Sequence, residues 1–377
     1  MQTKRFGLCA ALSAAALLLL AGCAGSGSTA APTLTVESSY PLQYAKQFTV
    51  YECTGGYELI TIADSQYLVV PQGAAVPKDL PQGTTVLQQP IENIYLVSTS
   101  AMDPIISLGA LDSIALSGTR ADGWYLPEAK AAMQAGQIAY AGKYSAPDYE
   151  TILASGCGLA IENTMIYHTP EVKEQLEKFG IPVLVERSSY ETDPLARMEW
   201  VKLYGILLGK KQEAEQLFDT QVQRVAPLEN QQPTGKSVAF FSITSNNLVT
   251  VRKGSDYVAR MIEMAGGSYV FDDLTDSGNN LATINLSLED FYAGAKDADV
   301  LLYNSTIEGS IASTEQLVEK CPLLAQFKAV QNGNVWCTAQ SLFQQSMELP
   351  DLILDMNRVF TEGTPADSEL TFLTHVE

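Results

Sequence analysis

"NIYLVSTSAMDPIISLGALDSIALSG", residues 93–118, holds two short apolar runs, "NIYLVS" and "SIALSG", around a segment with helical spacing, "AMDPIISLGAL". A strand, a helix and a second strand in that order form a crossover unit, which leaves the two strands parallel in one sheet. The alternation continues downstream, with helices expected at "LPEAKAAMQAG", "APDYETILASG" and "TPEVKEQLEKFG" and strands at "QIAYAG", "LAIEN" and "IPVLVE". In the last of these helices Thr169 is placed as N-cap, Pro170 falls at the first helical position and Gly180 follows the end. Strands that alternate with helices in this way predict a parallel sheet covered on its faces.

Further along, "PLARMEWVKLYGILLGKKQEAEQLFDTQVQRVA" (194–226) repeats apolar residues at Trp200, Leu203 or Tyr204, Leu207, Ala214, Leu217 or Phe218 and Val222. Spacings of three, four and seven predict one long amphipathic helix that Gly205 and Gly209 interrupt without ending. A second αβ series then runs from "SVAFFSI" at Ser237 through "ADVLLYN" and "NVWCT" to a final helix at "LPDLILDMNRVF". The expected fold class is therefore α/β: two αβ lobes with central parallel sheets joined by one long α-helix. A faint internal echo supports paired lobes, since Ser145 with Asp148 and Ser287 with Asp290 both match a Ser-x-x-Asp helix start.

Upstream of the first lobe, residues 46–70 alternate β-branched and aromatic residues with polar ones around Gly55-Gly56, which reads as a hairpin followed by a third strand. "PQGAAVPKDLPQGTTVLQQP" holds four prolines and reads as a loop around at most one short strand, so 46–90 is expected as a small β-rich extension. Nearer the start, Lys4 and Arg5 precede an apolar run from Phe6 to Ala21, the pattern of a secretory signal. The run is shorter than the ~20 apolar residues of a spanning helix and is followed by no stop-transfer charges. Leu20-Ala21-Gly22-Cys23 resembles the bacterial lipobox, which implies cleavage after residue 22 and lipidation of Cys23. Two acyl chains are enough for stable anchoring, and "AGSGSTAAPT" after Cys23 reads as a flexible tether.

The formal charge is −20, and it becomes more negative once Lys4 and Arg5 leave with the signal. That surface disfavours nucleic acid and contact with anionic membranes. Cys53, Cys157, Cys321 and Cys337 fit no Cys-x-x-Cys spacing, and their three alternative pairings are not separable by sequence. With His168 and His375 as its two histidines, the chain offers little for a bare zinc site. It also lacks His-Glu-x-x-His and Gly-x-Ser-x-Gly, and "GILLGKK" has the wrong glycine spacing for a phosphate loop. What recurs is aromatic and cationic residues at strand ends and in the loops that follow: Tyr125, Tyr144, Tyr167 with His168, Arg187 and Arg252. Ligands of αβ sheets sit outside those strand ends, so these six are the candidate ligand contacts. Arg187, directly after the buried strand "VLVE", needs a carboxylate partner: Glu186, Glu191 or a group on the ligand.

The order of lipobox, αβ lobe, long helix and second αβ lobe resembles the class III solute-binding proteins of ABC importers, which handle ferric siderophores, haem and cobalamin. The resemblance runs from about Ile91 to Phe360 and rests on "YETILASGCGLAI", "LEKFGIPVLV", "LYGILLGKKQEAEQL", "MIEMAGG" and "AVQNGNVWC". It implies a lipid-anchored, monomeric receptor on the extracytoplasmic face of the cell membrane that passes a metal chelate from an inter-lobe cleft to a permease and its ATPase. It also implies that the docking glutamates are Glu150 in "DYETIL" and Glu289 in "SLEDFY", and that lobe motion is small. Neither a resident cofactor nor nucleic acid is expected. The family's usual proline near the end of the docking-helix turn is replaced by Cys157.

The expected division is a signal at 1–22, a tether at 23–45, the extension at 46–90, an N-terminal lobe at 91–190, a connecting helix at 191–232, a C-terminal lobe at 233–362 and a tail at 363–377. Two rival readings are an anchored hydrolase or chelatase with His168 as base, and a surface sensor or scavenger with no transporter.

Overall fold

The computed structural model describes residues 32–275 and 281–377; the signal, Cys23 and the start of the tether lie outside the described residues. Strands Val183–Val185, Ala160–Glu162, Ile94–Leu96, Ile114–Ser117 and Ala139–Tyr140 form the N-terminal sheet in that spatial order, all parallel. Successive side chains of a strand point to opposite faces, and here both faces are buried. Ile94, Leu96, Ile161 and Leu184 join the main core, while Tyr95, Val97, Ala160 and Val183 join a second core. That second core is completed by Ile152 of helix Tyr149–Ala154 and by Val172 and Leu176 of helix Pro170–Lys178.

The C-terminal sheet is mixed. Ser237–Ile243, Val300–Tyr303 and Val335–Thr338 run parallel at its centre. Val249–Arg252 and Thr283–Leu286 extend one side antiparallel, and Leu373–His375 closes the other. Residues 363–377 were expected to trail the lobe as a tail, but they supply this edge strand. The buried carboxylate of Asp355 holds it, with Oδ2 accepting from the amides of Thr371, Phe372 and Leu373 at 2.9, 2.6 and 3.2 Å.

The connection between lobes differs from the single long helix expected. It is two helices, Pro194–Leu207 and Lys211–Val225, folded against each other. Gly209 turns the chain at φ +69°, a backbone conformation that side-chain-bearing residues rarely adopt. A Cβ on Gly205 would lie 2.4 Å from the Cβ of Ala214, so the absent side chain is what lets the second helix fold back. At the paired helix starts, Ser287 caps as expected, accepting from the Asp290 amide at 3.0 Å. In the N-terminal lobe the cap is Asp148 itself, which accepts from Thr151, and not Ser145.

The extension is a five-stranded sheet: Val36–Ser39, Phe48–Cys53, Tyr57–Ile62, Ser65–Val70 and Thr84–Gln88. Its first strand begins inside the stretch read as tether. One face packs on the connecting helices, with the Phe48 ring 4.9 Å from that of Trp200. The strap before the second strand is fixed more firmly. Buried Glu199 accepts from the amides of Gln43, Tyr44 and Ala45 and from Lys202 Nζ, and buried Glu191 accepts from Lys46, Gln47 and the Trp200 indole. Cys53, Cys157, Cys321 and Cys337 are all free thiols.

Candidate functional site

Two adjoining cavities lie where the lobes face each other. The inner one, about 240 Å³, is lined on the N-terminal side by Ser98, Ser100, Asn163 and Glu186, at or beyond the carboxyl ends of parallel strands. Arg197 of the connecting helix forms part of its wall, and Arg252, Tyr257 and Phe343 close it from the C-terminal lobe. The outer one, about 560 Å³, is lined by Gln47, Arg187, Tyr190, Lys253, Asp256 and Leu281 among others.

Of the six expected ligand contacts, the structure brings Arg187 and Arg252 to these cavities. Arg252 lies over the Phe343 ring, 4.5 Å from its centroid, with Nη1 3.6 Å from Asp256 Oδ2. Asp256 also caps the helix Tyr257–Met264 through Oδ1. Burial raises its carboxyl above the usual range, and the nearby Arg252 and Arg197 charges oppose that rise. Arg187 departs from expectation. Glu186 is occupied by Ser98, Ser100 and the Ser188 amide, and Glu191 by the strap, so among the described residues Arg187 forms no ion pair. Instead its guanidinium lies over the Tyr190 ring at 4.5 Å and donates to Gln47 Oε1 at 3.4 Å.

The other four lie elsewhere. Tyr125 stands exposed at the lobe boundary, its amide donating to Gln344 Oε1 at 2.8 Å. Tyr144 packs half-buried against the second core, as an aromatic loop residue does when it caps apolar side chains. Tyr167 and His168 are exposed on the short 3-10 helix Thr164–His168 and line neither cavity. Residues lining the cavities that the sequence reading missed include Gln47, Ser98, Ser100, Arg197 and Phe343.

One C-terminal segment bridges the lobes directly below the cleft. Ser346 Oγ donates to the Ser100 carbonyl at 3.1 Å, the Met347 amide to Asp103 Oδ2 at 2.7 Å, and Gln344 Nε2 to the Gly123 carbonyl at 2.8 Å. Burial, reinforced by the neighbouring Glu348 charge, pushes Asp103 up to about 8. Chemically the cleft offers fixed cations and aromatic faces; among the described residues no cluster of three or more His, Cys, Asp or Glu is placed to hold a metal ion.

Two αβ lobes joined by a helical connection, with arginine-bearing cavities between them, have the architecture of a two-lobe solute-binding protein. The periplasmic binding protein family matches residues 97–341, more than half of the chain, and the chain belongs to that family. The resemblance to solute-binding proteins therefore holds at the level of this family, which is one of periplasmic binding proteins, not enzymes. An uncharacterized lipoprotein of Methanocaldococcus jannaschii is 27% identical over 241 residues, covering 62% of this chain and 55% of the relative. A second uncharacterized protein of that organism is 26% identical over 170 residues, covering 44% and 49%. The chain thus spans about half the length of these relatives.

Among solved structures, a periplasmic heme binding protein of Vibrio cholerae aligns with TM-score 0.58 at 18% identity, covering 73% of this chain and 99% of that one. A periplasmic binding protein from Veillonella parvula gives 0.60 at 16%, covering 87% and 99%. An ABC-type Fe3+-hydroxamate transport system from Saccharomonospora viridis gives 0.56 at 22%, covering 72% and 94%. At these identities the likeness is one of fold. No helix among the described residues is long and apolar enough to cross a membrane.

Proposed function

We propose that this chain is the lipid-anchored substrate-binding protein of an ABC importer, holding a metal chelate of the siderophore, haem or cobalamin kind between its lobes. The observation that carries the reading is the convergence of Arg187 and Arg252, each laid over an aromatic ring, on cavities bounded by both lobes. Guanidinium groups suit the carboxylates and oxyanions of such chelates, and rings suit their flat or bulky bodies. The fold neighbours, which include heme and Fe3+-hydroxamate proteins, support the same class. Protein purified from its own source is expected to carry a visibly absorbing chelate at one per chain by native mass spectrometry. Loss of that chelate in the Arg187→Ala, Arg252→Ala double variant supports the cleft, and full retention overturns it.

The family's docking glutamates map to Glu150 and Glu289, and both stand exposed in the first turn of their helices, one in each lobe. We assign them to arginines on the permease, a contact that orients association. Reversing both to Arg should abolish stimulation of the transporter's ATPase without changing chelate affinity; unchanged stimulation refutes the assignment. Cys23 is the anchor in this reading, supported by a relative that is named a lipoprotein. Cys23→Ser protein that stays in the membrane fraction after signal cleavage contradicts it. The two-helix connection and the inter-lobe hydrogen bonds made by Gln344, Ser346 and Met347 support small lobe motion on binding. A stand-alone sensor or scavenger is the second reading, and adjacent genes for a permease and an ATPase decide against it.

A further inference from the structure

We propose that the inner cavity is a carboxylate-binding subsite whose central cation is Arg197. The inference rests on the binding-protein reading above and adds the chemistry that the cleft floor selects. Arg197 lies in the helix Pro194–Leu207, every residue of which is buried, and is itself only 6% exposed. A guanidinium does not lose its proton in a protein, and an unpaired buried charge is strongly unfavourable. The same helix shows how a structural cation is treated: Lys202, equally buried, meets Glu199 at 2.7 Å.

Arg197 has no such partner. Among the described residues it makes neither an ion pair nor a side-chain hydrogen bond, and its one contact of this kind is the Tyr257 ring, 4.8 Å from the guanidinium carbon. The acids nearby are committed elsewhere. Glu186 takes the Ser98 and Ser100 hydroxyls and the Ser188 amide, and Asp256 takes the Val258 amide and faces Arg252, with the Arg197 charge acting on it only from beyond ion-pair distance. Asp193 takes the Leu195 amide. A second guanidinium, Arg252, enters the same cavity from the C-terminal lobe. The floor therefore presents two fixed cations, one from the connecting helix and one from a lobe, beside one carboxylate, Glu186, whose oxygens already accept hydrogen bonds; the fork geometry of the guanidiniums matches a planar carboxylate.

Volume decides what enters. About 240 Å³ admits a carboxylate-bearing fragment or a small free acid, while the adjoining space of about 560 Å³ takes the bulk of a larger molecule. The carboxylate then comes from the cargo itself or from a small acid bound beside it. A carboxylate between Arg197 and Arg252 also ties the connecting helix to the C-terminal lobe, so its loss raises the off-rate of whatever it holds.

The test is calorimetric titration of the full chain with citrate, with haem and with haem dimethyl ester, whose propionates are blocked. Wild type is compared with Arg197→Met, Arg197→Lys, Arg252→Met and the control Arg358→Met, a half-buried arginine that lines neither cavity. Loss of a charge-assisted contact of about 1.5–3 kcal/mol predicts roughly tenfold or greater weakening in Arg197→Met and Arg252→Met. The control should match wild type, and Arg197→Lys should fall between. Haem binding that the ester and Arg197→Met both lose assigns the carboxylate to the cargo; Arg197-dependent citrate binding assigns it to a free acid. Equal affinities in wild type and in folded Arg197→Met and Arg252→Met overturn the subsite, as does failure of all three probes to bind. If Arg197→Met does not fold, Arg252→Met and Arg197→Lys carry the comparison. A chelate held in the cleft equally by Arg197→Met leaves the transport reading standing without the subsite. Arg197-dependent citrate binding with no chelate held leaves the subsite standing without that reading.

Discussion

Replacing Glu199 by Gln should loosen the N-terminal extension from the rest of the molecule, because one fully buried carboxylate ties them together. Its Oε2 accepts from the amides of Gln43, Tyr44 and Ala45 at 3.0, 2.7 and 2.8 Å, and its Oε1 from Gln43 at 2.8 Å and Lys202 Nζ at 2.7 Å. Glutamine keeps one acceptor oxygen but turns two N–H donors toward donors already there. It also strands the Lys202 ammonium, and breaking a buried pair by removing one partner costs about 3–5 kcal/mol. A further amide left without an acceptor adds about 1–3 kcal/mol. The total is a large part of the roughly 5–15 kcal/mol that holds an ordinary domain folded. Urea unfolding should therefore show Glu199→Gln destabilised by about 3 kcal/mol or more. Hydrogen exchange should show lost protection first at the amides of residues 43–45. Adding Lys202→Met should recover most of the loss, since the stranded charge is gone. A single variant within about 1 kcal/mol of wild type, or a double variant no more stable than the single, refutes this account of the strap.

Two further predictions concern stability. Gly205→Val forces a side chain into the space of Ala214 and should part the helices Pro194–Leu207 and Lys211–Val225, lowering the thermal midpoint sharply; an unchanged midpoint refutes the close approach. Asp103, pushed up to about 8 from the ordinary 3.8, takes up a proton on folding, so its stabilisation is whole below about pH 4 and lost as pH rises through about 8. Wild-type stability should fall between pH 5 and 8 by at most about 1.4 kcal/mol per pH unit for this proton and level off above that range. Asp103→Asn, whose amide can accept from Met347 and donate to Glu348, should fall less steeply. The remaining slope comes in part from Glu162, which burial also pushes up to about 8. Parallel curves for wild type and Asp103→Asn contradict the assignment.

The alternation of strands and helices was legible because both faces of the parallel strands are covered, so each strand appears as a short apolar run between helical segments. The connecting region was half legible. Its apolar spacing continues through Gly205 and Gly209, and only the three-dimensional approach of Gly205 to Ala214 shows that the chain doubles back there. Arg197 was not legible as a functional residue, because in "PLARMEWVKLYGIL" its charge reads as the solvated side of a helix that is in fact buried all round. The partner of Arg187 lies 140 residues upstream at Gln47, on a strap that local spacing reads as the start of a strand. Tyr144 had the sequence look of a ligand contact and caps a core instead, as loop aromatics commonly do.

The central claim is that both lobes grip one ligand in the cleft between them. Its most direct measurement is hydrogen exchange of the full chain with and without the chelate that co-purifies with it. The account predicts protection at 98–100, 187–192, 252–257 and 343–347 together, in both lobes and across the bridging segment. Protection confined to one lobe, or to residues lining neither cavity, contradicts it.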